Sequence, residues 1–160
     1  MRLYITRHGK AQPDSPSGRD EDRQLRKRGE RQARWLAGRV ASFRPPPKVI
    51  YSSGRVRAVQ TAEIIAEELS CEVRLEHVLG LGHSASDVLE VLQVLARSAE
   101  HDGVMLVGHN PQLEMLVGVL VDGPTGAPVR LRTGECAVLD LPTPDEPGAA
   151  TLLETLRLEE

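Results

Sequence analysis

Short β-rich runs and segments with helical periodicity alternate along almost the whole chain, and that alternation confines it to a sheet covered on both faces by helices. Leu3 to Thr6 forms a β-rich run that ends at Arg7-His8-Gly9. After a polar loop from Gln12 to Asp22, the residues Leu25, Gly29, Ala33, Leu36, Ala37 and Val40 recur at helical spacing. They predict a helix over 25–43. Pro45-Pro46-Pro47 stops it, because proline cannot continue a helix and pushes its predecessor out of the helical region. Val49 to Ser52 reads as the second strand, and Ala58, Ala62, Ile65, Ala66 and Leu69 mark a helix with Ser53 or Gly54 near its N-cap. A weak strand at Glu72 to Leu75 and a Gly-containing stretch at Gly80 to Ser84 follow. Val88, Leu92, Leu95 and Ala99 then mark a third helix, before a strand at Gly103 to Val107. Asn110 as N-cap with Pro111 at the first helical position predicts a helix to about Val121. Cys136 to Leu141 and Thr151 to Leu158 predict a hairpin-like pair around Pro142 to Gly148. The expected fold is one domain over 1–160, a three-layer α/β/α sandwich with a mostly parallel central sheet.

Charge narrows the function. The chain of 160 residues carries 20 Lys and Arg against 23 Asp and Glu, too even a balance for a nonspecific nucleic-acid binder. Within that balance residues 1–60 hold fifteen basic side chains and five acids, whereas residues 61–160 hold five and eighteen. The first part can therefore present an anion-binding site. Arg7 interrupts the N-terminal apolar run before a signal-peptide core could form, and the run Met115 to Val121 is far shorter than the roughly 20 residues of a membrane span. A soluble, cytoplasmic protein without a membrane partner is expected. Cys71 and Cys136 lack metal or redox spacing and read as small buried apolar residues.

Three short motifs follow predicted strands, at the carboxyl ends where open α/β sheets bind ligands. They are Arg7-His8-Gly9, the segment Arg55 to Thr61 containing Arg57-Ala58-Val59-Gln60-Thr61, and Gly108-His109-Asn110-Pro111. In order and spacing they resemble the three motifs of the histidine phosphatase superfamily, the phosphoglycerate-mutase-like fold. Asp22-Arg23-Gln24-Leu25 followed by Arg28-Gly29, together with the short length, resembles its SixA-type branch of phosphohistidine phosphatases. The resemblance implies a phosphatase whose substrate is a phosphohistidine protein domain, with small phosphorylated metabolites such as sugar phosphates as the alternative within the same class.

The residue types suit that chemistry on their own terms. Neutral imidazole is a nucleophile at physiological pH, so His8 is the expected nucleophile. Attack on phosphorus builds charge on the equatorial oxygens, which the guanidinium forks of Arg7 and Arg57 can bind. His109, if protonated, would add a donor on the same phosphoryl group. Neither metal nor cofactor is then expected. Gly9 would let the backbone bend close to the nucleophile, and its carbonyl could fix the His8 tautomer. Arg55 could touch ligand or point elsewhere. His77, His83 and His101 match no motif and read as surface residues, His83 with the reservation that relatives line their pocket with the region Gly80 to Ser86.

Two positions depart from the family pattern. Larger relatives carry a carboxylate after the third strand that protonates the leaving oxygen, and Leu79-Gly80-Leu81-Gly82-His83 does not reproduce that segment. Glu76, Asp87, Asp20 and Asp22 stand as unranked candidates for the acid. A phosphohistidine imidazole leaves with less help than an alkoxide, because its other nitrogen can already hold a proton. Lys10 replaces the acid that many relatives have after Arg-His-Gly, which favours anionic substrates. The missing acid also motivates a reading of another class, a phospho-ligand binding module without efficient chemistry. A mutase fits less well, since a site without a lid cannot exclude water.

Overall fold

The computed structural model describes residues 1–98, 101–142 and 146–159. Six strands, β1 (Arg2–Arg7), β2 (Val49–Ser52), β3 (Glu72–Leu75), β4 (Gly103–Gly108), β5 (Cys136–Asp140) and β6 (Thr151–Leu156), form one sheet in the order β3-β2-β4-β1-β5-β6. The pairs β3–β2, β2–β4 and β4–β1 are parallel, while β5 runs antiparallel to both β1 and β6. Four helices connect them: α1 (Lys27–Val40), α2 (Val56–Leu69), α3 (Ala85–Leu95) and α4 (Gln112–Asp122). The sheet is mixed and mostly parallel, with helices on both faces, the architecture that the sequence resemblance implied.

Strand alternation splits the apolar residues into two cores, one on each side of the sheet. Leu3 and Ile5 of β1 pack with Val88 and Leu92 of α3 and with Leu113 and Leu116 of α4. Tyr4, between them in sequence, packs the other way, with Leu36 and Val40 of α1 and Ala62 and Ile65 of α2. Each such fully buried aliphatic side chain contributes about 1.5–3 kcal/mol relative to exposure. Both faces of β1 and β4 are thereby covered, which explains their continuous apolar runs. Among the described residues no helix is long and apolar enough to cross a membrane.

The chain leaves β1 toward β2 on one side and leaves β4 toward β5 on the other, so the carboxyl ends of these adjacent strands border a topological switch point. Their register, with Arg7 opposite Gly108, sets the residues that follow each strand side by side. His8 and His109 occupy those positions.

Several local expectations need correction. Helix α1 starts at Lys27 because Leu25 is drawn into a β-bridge with Ala11 and donates its N–H to Gln60 Oε1 at 2.8 Å. Asn110 does not cap α4; its side-chain Nδ2 donates to Leu131 O at 2.7 Å, and Pro111 takes the cap. The N-cap of α2 is Arg55, directly after Ser53 and Gly54 as expected, and Ser53 Oγ lies 2.7 Å from His109 Nε2. Helix α3 begins three residues before Val88, where Ser84 and Asp87 form a capping box. Ala99, expected on that helix, and residues 143–145 of the expected turn lie outside the described residues. His101 is buried, not on the surface, and its Nε2 lies 3.0 Å from the Tyr51 hydroxyl. Cys136 is buried as expected, and burial pushes its thiol up to about 12, but Cys71 is only partly covered.

Candidate active site

The strand-end crevice holds a cavity of about 350 Å³ whose deepest residues are His8, Arg57 and His109, each no more than 7% exposed. Arg7 lines it too. Lys10, Arg23 and Asp20 surround its more exposed part, with Leu81, Asn110 and Thr133 completing the wall.

The His8 ring is fixed by two partners of opposite kind. Its Nδ1 lies 2.8 Å from the Gly9 carbonyl, which can only accept, and Arg57 Nε, which can only donate, lies 3.3 Å from Nε2. A single tautomer satisfies both: Nδ1 carries the proton and Nε2 presents its lone pair. Burial is the main force on this ring. The Gly9 carbonyl opposes it in part, Arg57 and Arg7 reinforce it, and the pKa falls to about 4. His8 is therefore neutral at physiological pH.

The second motif holds the first in place. Thr61 Oγ1 donates to the Arg57 carbonyl at 2.8 Å and accepts the Gly9 N–H at 3.1 Å. Gln60 reaches back to Leu25. Two residues of that motif thus clamp the loop whose carbonyl orients His8. The close approach of α1 completes the clamp: a Cβ on Gly9 would stand 2.7 Å from Gly29 O, so glycine is needed where the loop meets the helix.

His109 lies beside His8, with ring centroids 5.2 Å apart. Its Nε2 is 2.7 Å from Ser53 Oγ. Burial, then the neighbouring His8 and Arg57, push its pKa down to about 3 and favour the neutral ring. Arg7 donates Nη1 to Leu131 O at 3.3 Å, while its buried Nε has no hydrogen-bond partner among the described residues.

Arg55 does not line the cavity; its Nη1 donates to Asp20 Oδ2 at 3.0 Å. His83 lines an adjoining cavity of about 250 Å³ with Leu81, Met115 and His109, so its dismissal as a surface residue is corrected, whereas His77 is largely exposed. Sequence reasoning did not single out Arg23 or Thr133 for the cavity, nor Ser53 as the partner of His109. Each is brought in by tertiary contact, with no local pattern to announce it.

All four candidate acids have other partners. Partial burial disfavours the Asp20 carboxylate, but Arg57 and Arg23 outweigh it and hold its pKa below the usual carboxylate range. Asp22 Oδ2 accepts from Ser17 Oγ at 2.6 Å. Glu76 caps the short helical turn His77–Leu79 through Val78 N. Asp87 caps α3, and the Ser84 backbone N–H and His83 hold its pKa down. Among the described residues no three His, Cys, Asp or Glu side chains converge as metal ligands would.

A doubly covered sheet that opens a basic, two-histidine cavity at the ends of β1 and β4 defines the class: a phosphoglycerate-mutase-like α/β protein with that cavity at its switch point. The model of the histidine phosphatase superfamily (branch 1) matches residues 3–80. The chain belongs to that superfamily, whose members are phosphatases. It is similar to the protein histidine phosphatase SixA, seen in complex with tungstate, at a TM-score of 0.84 and 26% identity over 98% of this chain and 97% of that one. A structure assigned as the phosphohistidine phosphatase SixA of Agrobacterium tumefaciens gives a TM-score of 0.74 and 28% identity over 97% and 96% of the two chains. An uncharacterized protein of Picosynechococcus sp. is 32% identical over 133 residues, 82% of this chain and 80% of its own length.

Proposed function

We propose that this chain is a phosphatase that works through a phosphohistidine on His8 and takes its phosphoryl group from a histidine of a partner protein. The carrying observation is the His8 ring itself, neutral, locked in one tautomer by Gly9 and turned with Nε2 toward the Arg57 guanidinium. In the first step Nε2 forms a bond to phosphorus as the substrate P–N bond breaks; the substrate imidazole, protonated on its other ring nitrogen, leaves neutral with the bond's electron pair on the departing nitrogen. In the second step a water oxygen attacks the same phosphorus, the P–N bond to His8 breaks with its electron pair returning to Nε2 while Nδ1 keeps its proton on the Gly9 carbonyl, and the water's protons leave on orthophosphate or to solvent. Arg7 and Arg57 neutralise the equatorial oxygens throughout, each such donor supplying about 10²–10³ in rate. His109 stands where a dianion would draw a proton onto it and make it a further donor.

The state of the carboxylates supports this substrate. Asp20, Asp22, Glu76 and Asp87 are all committed to other partners, which leaves none of these four described carboxylates free to protonate an alkoxide, and an imidazole needs least assistance. The same observation favours the second reading, a module that binds phospho-ligands with little turnover. A panel of a phosphohistidine protein, phosphoramidate, p-nitrophenyl phosphate and sugar phosphates separates the two. The enzyme reading predicts release fastest from the P–N substrates and abolished in His8→Ala. Phosphate-competitive binding without release from any substrate would leave the binding module, and faster turnover of sugar phosphates would move the substrate to small metabolites.

A further inference from the structure

Asp20 lies on the short helical turn Asp20–Asp22 between β1 and α1, with its side chain 52% exposed, yet it takes up four guanidinium N–H groups. Oδ2 accepts from Arg57 Nη2 at 3.1 Å and from Arg55 Nη1 at 3.0 Å. Oδ1 accepts from Arg23 Nε at 2.9 Å, and the Asp20 carbonyl accepts from Arg57 Nη1 at 2.9 Å. Arg57 thus gives Nε to the nucleophile and both terminal nitrogens to Asp20. This differs from an ordinary surface ion pair, in which both partners are solvated and the gain is small. Here the Arg57 side chain is only 5% exposed. The turn that presents Asp20 is itself tied down, by Ser17 Oγ on Asp22 and by Arg23 Nη1 on the Gln12 carbonyl at 2.8 Å.

Three guanidiniums around one carboxylate, with Arg23, Arg57 and the carboxylate itself lining the His8 cavity and Arg55 just behind, form the coordination that a free anion would otherwise receive. We infer that Arg23, Arg55 and Arg57 form a second anion subsite beside the His8 centre, that Asp20 fills it in cis, and that this makes the site reject ligands bearing a second anionic group next to the phosphoryl group. The inference rests on the phosphoryl group docking at His8, and it deepens that reading by naming what is excluded: bisphosphates, pyrophosphates and phosphorylated carboxylic acids. A phosphorylated protein side chain carries no such neighbouring anion. Asp20 would then act as a specificity-determining residue. Its negative charge both occupies the arginines and repels the second group.

The test uses binding, so that it does not depend on turnover. Dissociation constants for orthophosphate and pyrophosphate are measured by titration calorimetry, at fixed ionic strength, for the wild-type chain, Asp20→Asn, Asp20→Ala and Glu21→Gln. Glu21→Gln removes a negative charge from the same turn without touching these arginines, because Glu21 pairs with Arg19. Both Asp20 variants should improve pyrophosphate affinity relative to orthophosphate at least tenfold, with no change in that ratio for Glu21→Gln. A ratio unmoved in both Asp20 variants overturns the inference, including the case in which both affinities fall together because Asp20 merely braces Arg57. An equal gain in Glu21→Gln also overturns it, since net charge alone would then be the cause. If the wild-type chain binds neither anion, the reading of His8 as the phosphoryl centre falls first and the subsite with it.

Discussion

Alanine at position 29 separates helix propensity from the geometry that holds the nucleophile. A Cβ on Gly29 would fall inside hard contact with the Lys10 carbonyl oxygen and stand 2.9 Å from Lys10 N, both backbone atoms that no rotamer change can move aside. Against an ordinary contact of about 3.5 Å, relief of the closer contact requires α1 and the loop after β1 to separate by about 1 Å. That separation strains two bonds between them, Arg26 N–H to Lys10 O and Lys10 N–H to Gln32 Oε1, each 2.9 Å long. Overpacking of this kind costs about 1–3 kcal/mol, and the propensity gain of alanine over glycine in a helix returns at most about 1 kcal/mol. The net is a loss of about 1–2 kcal/mol, or a melting temperature lower by about 2–8 °C in a domain of this size. Lys10 follows Gly9, whose carbonyl orients His8, and a 1 Å displacement of a reacting group costs on the order of 10² in rate, so kcat/KM should fall by about 10- to 100-fold as that displacement is passed on in part or in full. Gly38 supplies the internal control, since it lies on the same helix with nothing within 4 Å of its Cβ position. Gly38→Ala should raise the melting temperature by about 2–4 °C through propensity alone. Calorimetric melting and steady-state hydrolysis of p-nitrophenyl phosphate read both variants. A Gly29→Ala protein as stabilised as Gly38→Ala, with full turnover, would refute the close-contact argument.

Arg57→Lys keeps the charge but loses the fork that joins His8 to Asp20, and kcat/KM should drop by about 10²–10³ with the fold unchanged; a change under threefold would contradict the role given to the guanidinium. The two histidines make stability fall with acid: their folded pKa values of about 4 and about 3 lie below the unfolded value of about 6.5, so the unfolded chain binds more protons in between. Their contribution is complete above about pH 6.5 and is lost as pH falls toward 4, with a limiting slope of about 2.7 kcal/mol per pH unit for two groups. Urea midpoints from pH 4.5 to 7.5 should show this slope, and His8→Asn or His109→Asn should each remove about half; a flat profile in the wild-type chain would contradict the burial argument. Gln112 Nε2 donates to the carbonyls of Val78 at 2.7 Å and His83 at 3.1 Å, with Ser84 O at 3.3 Å, so Gln112→Ala leaves partly buried acceptors without this donor. It should cost about 1–3 kcal/mol and speed amide exchange across residues 78–84, and unchanged exchange there would show that another contact holds the loop.

The architecture was legible because both periodicities are strong where the sheet is covered. Val49 to Ser52, Glu72 to Leu75 and the Cys136 hairpin fall where the alternation put them, and the two-core packing follows from period-two burial in β1. The histidine pair was legible for a related reason: strand ends are marked by the sequence, and adjacent parallel strands bring their carboxyl ends together. Boundaries failed where a side chain found a distant partner. Leu25 fits a helical period but joins Ala11 and Gln60, and Asn110 is a good cap whose amide goes to Leu131 instead. His101 stayed hidden because its burial depends on Tyr51, fifty residues earlier. The Asp20 cluster is the clearest case of this kind. Its members lie 3 to 37 positions apart on a loop and a helix, and charge counting alone cannot distinguish them from a solvated face.

A covalent phosphoryl group on His8 is the most direct test of the account. The chain is mixed with labelled phosphoramidate, quenched in alkali within milliseconds to seconds, and digested for mass spectrometry. The account predicts one acid-labile, alkali-stable phosphate per chain, on the peptide that contains His8, formed and lost at rates that match turnover and absent in His8→Ala. Turnover without any such label, or a label that persists in His8→Ala, would contradict it.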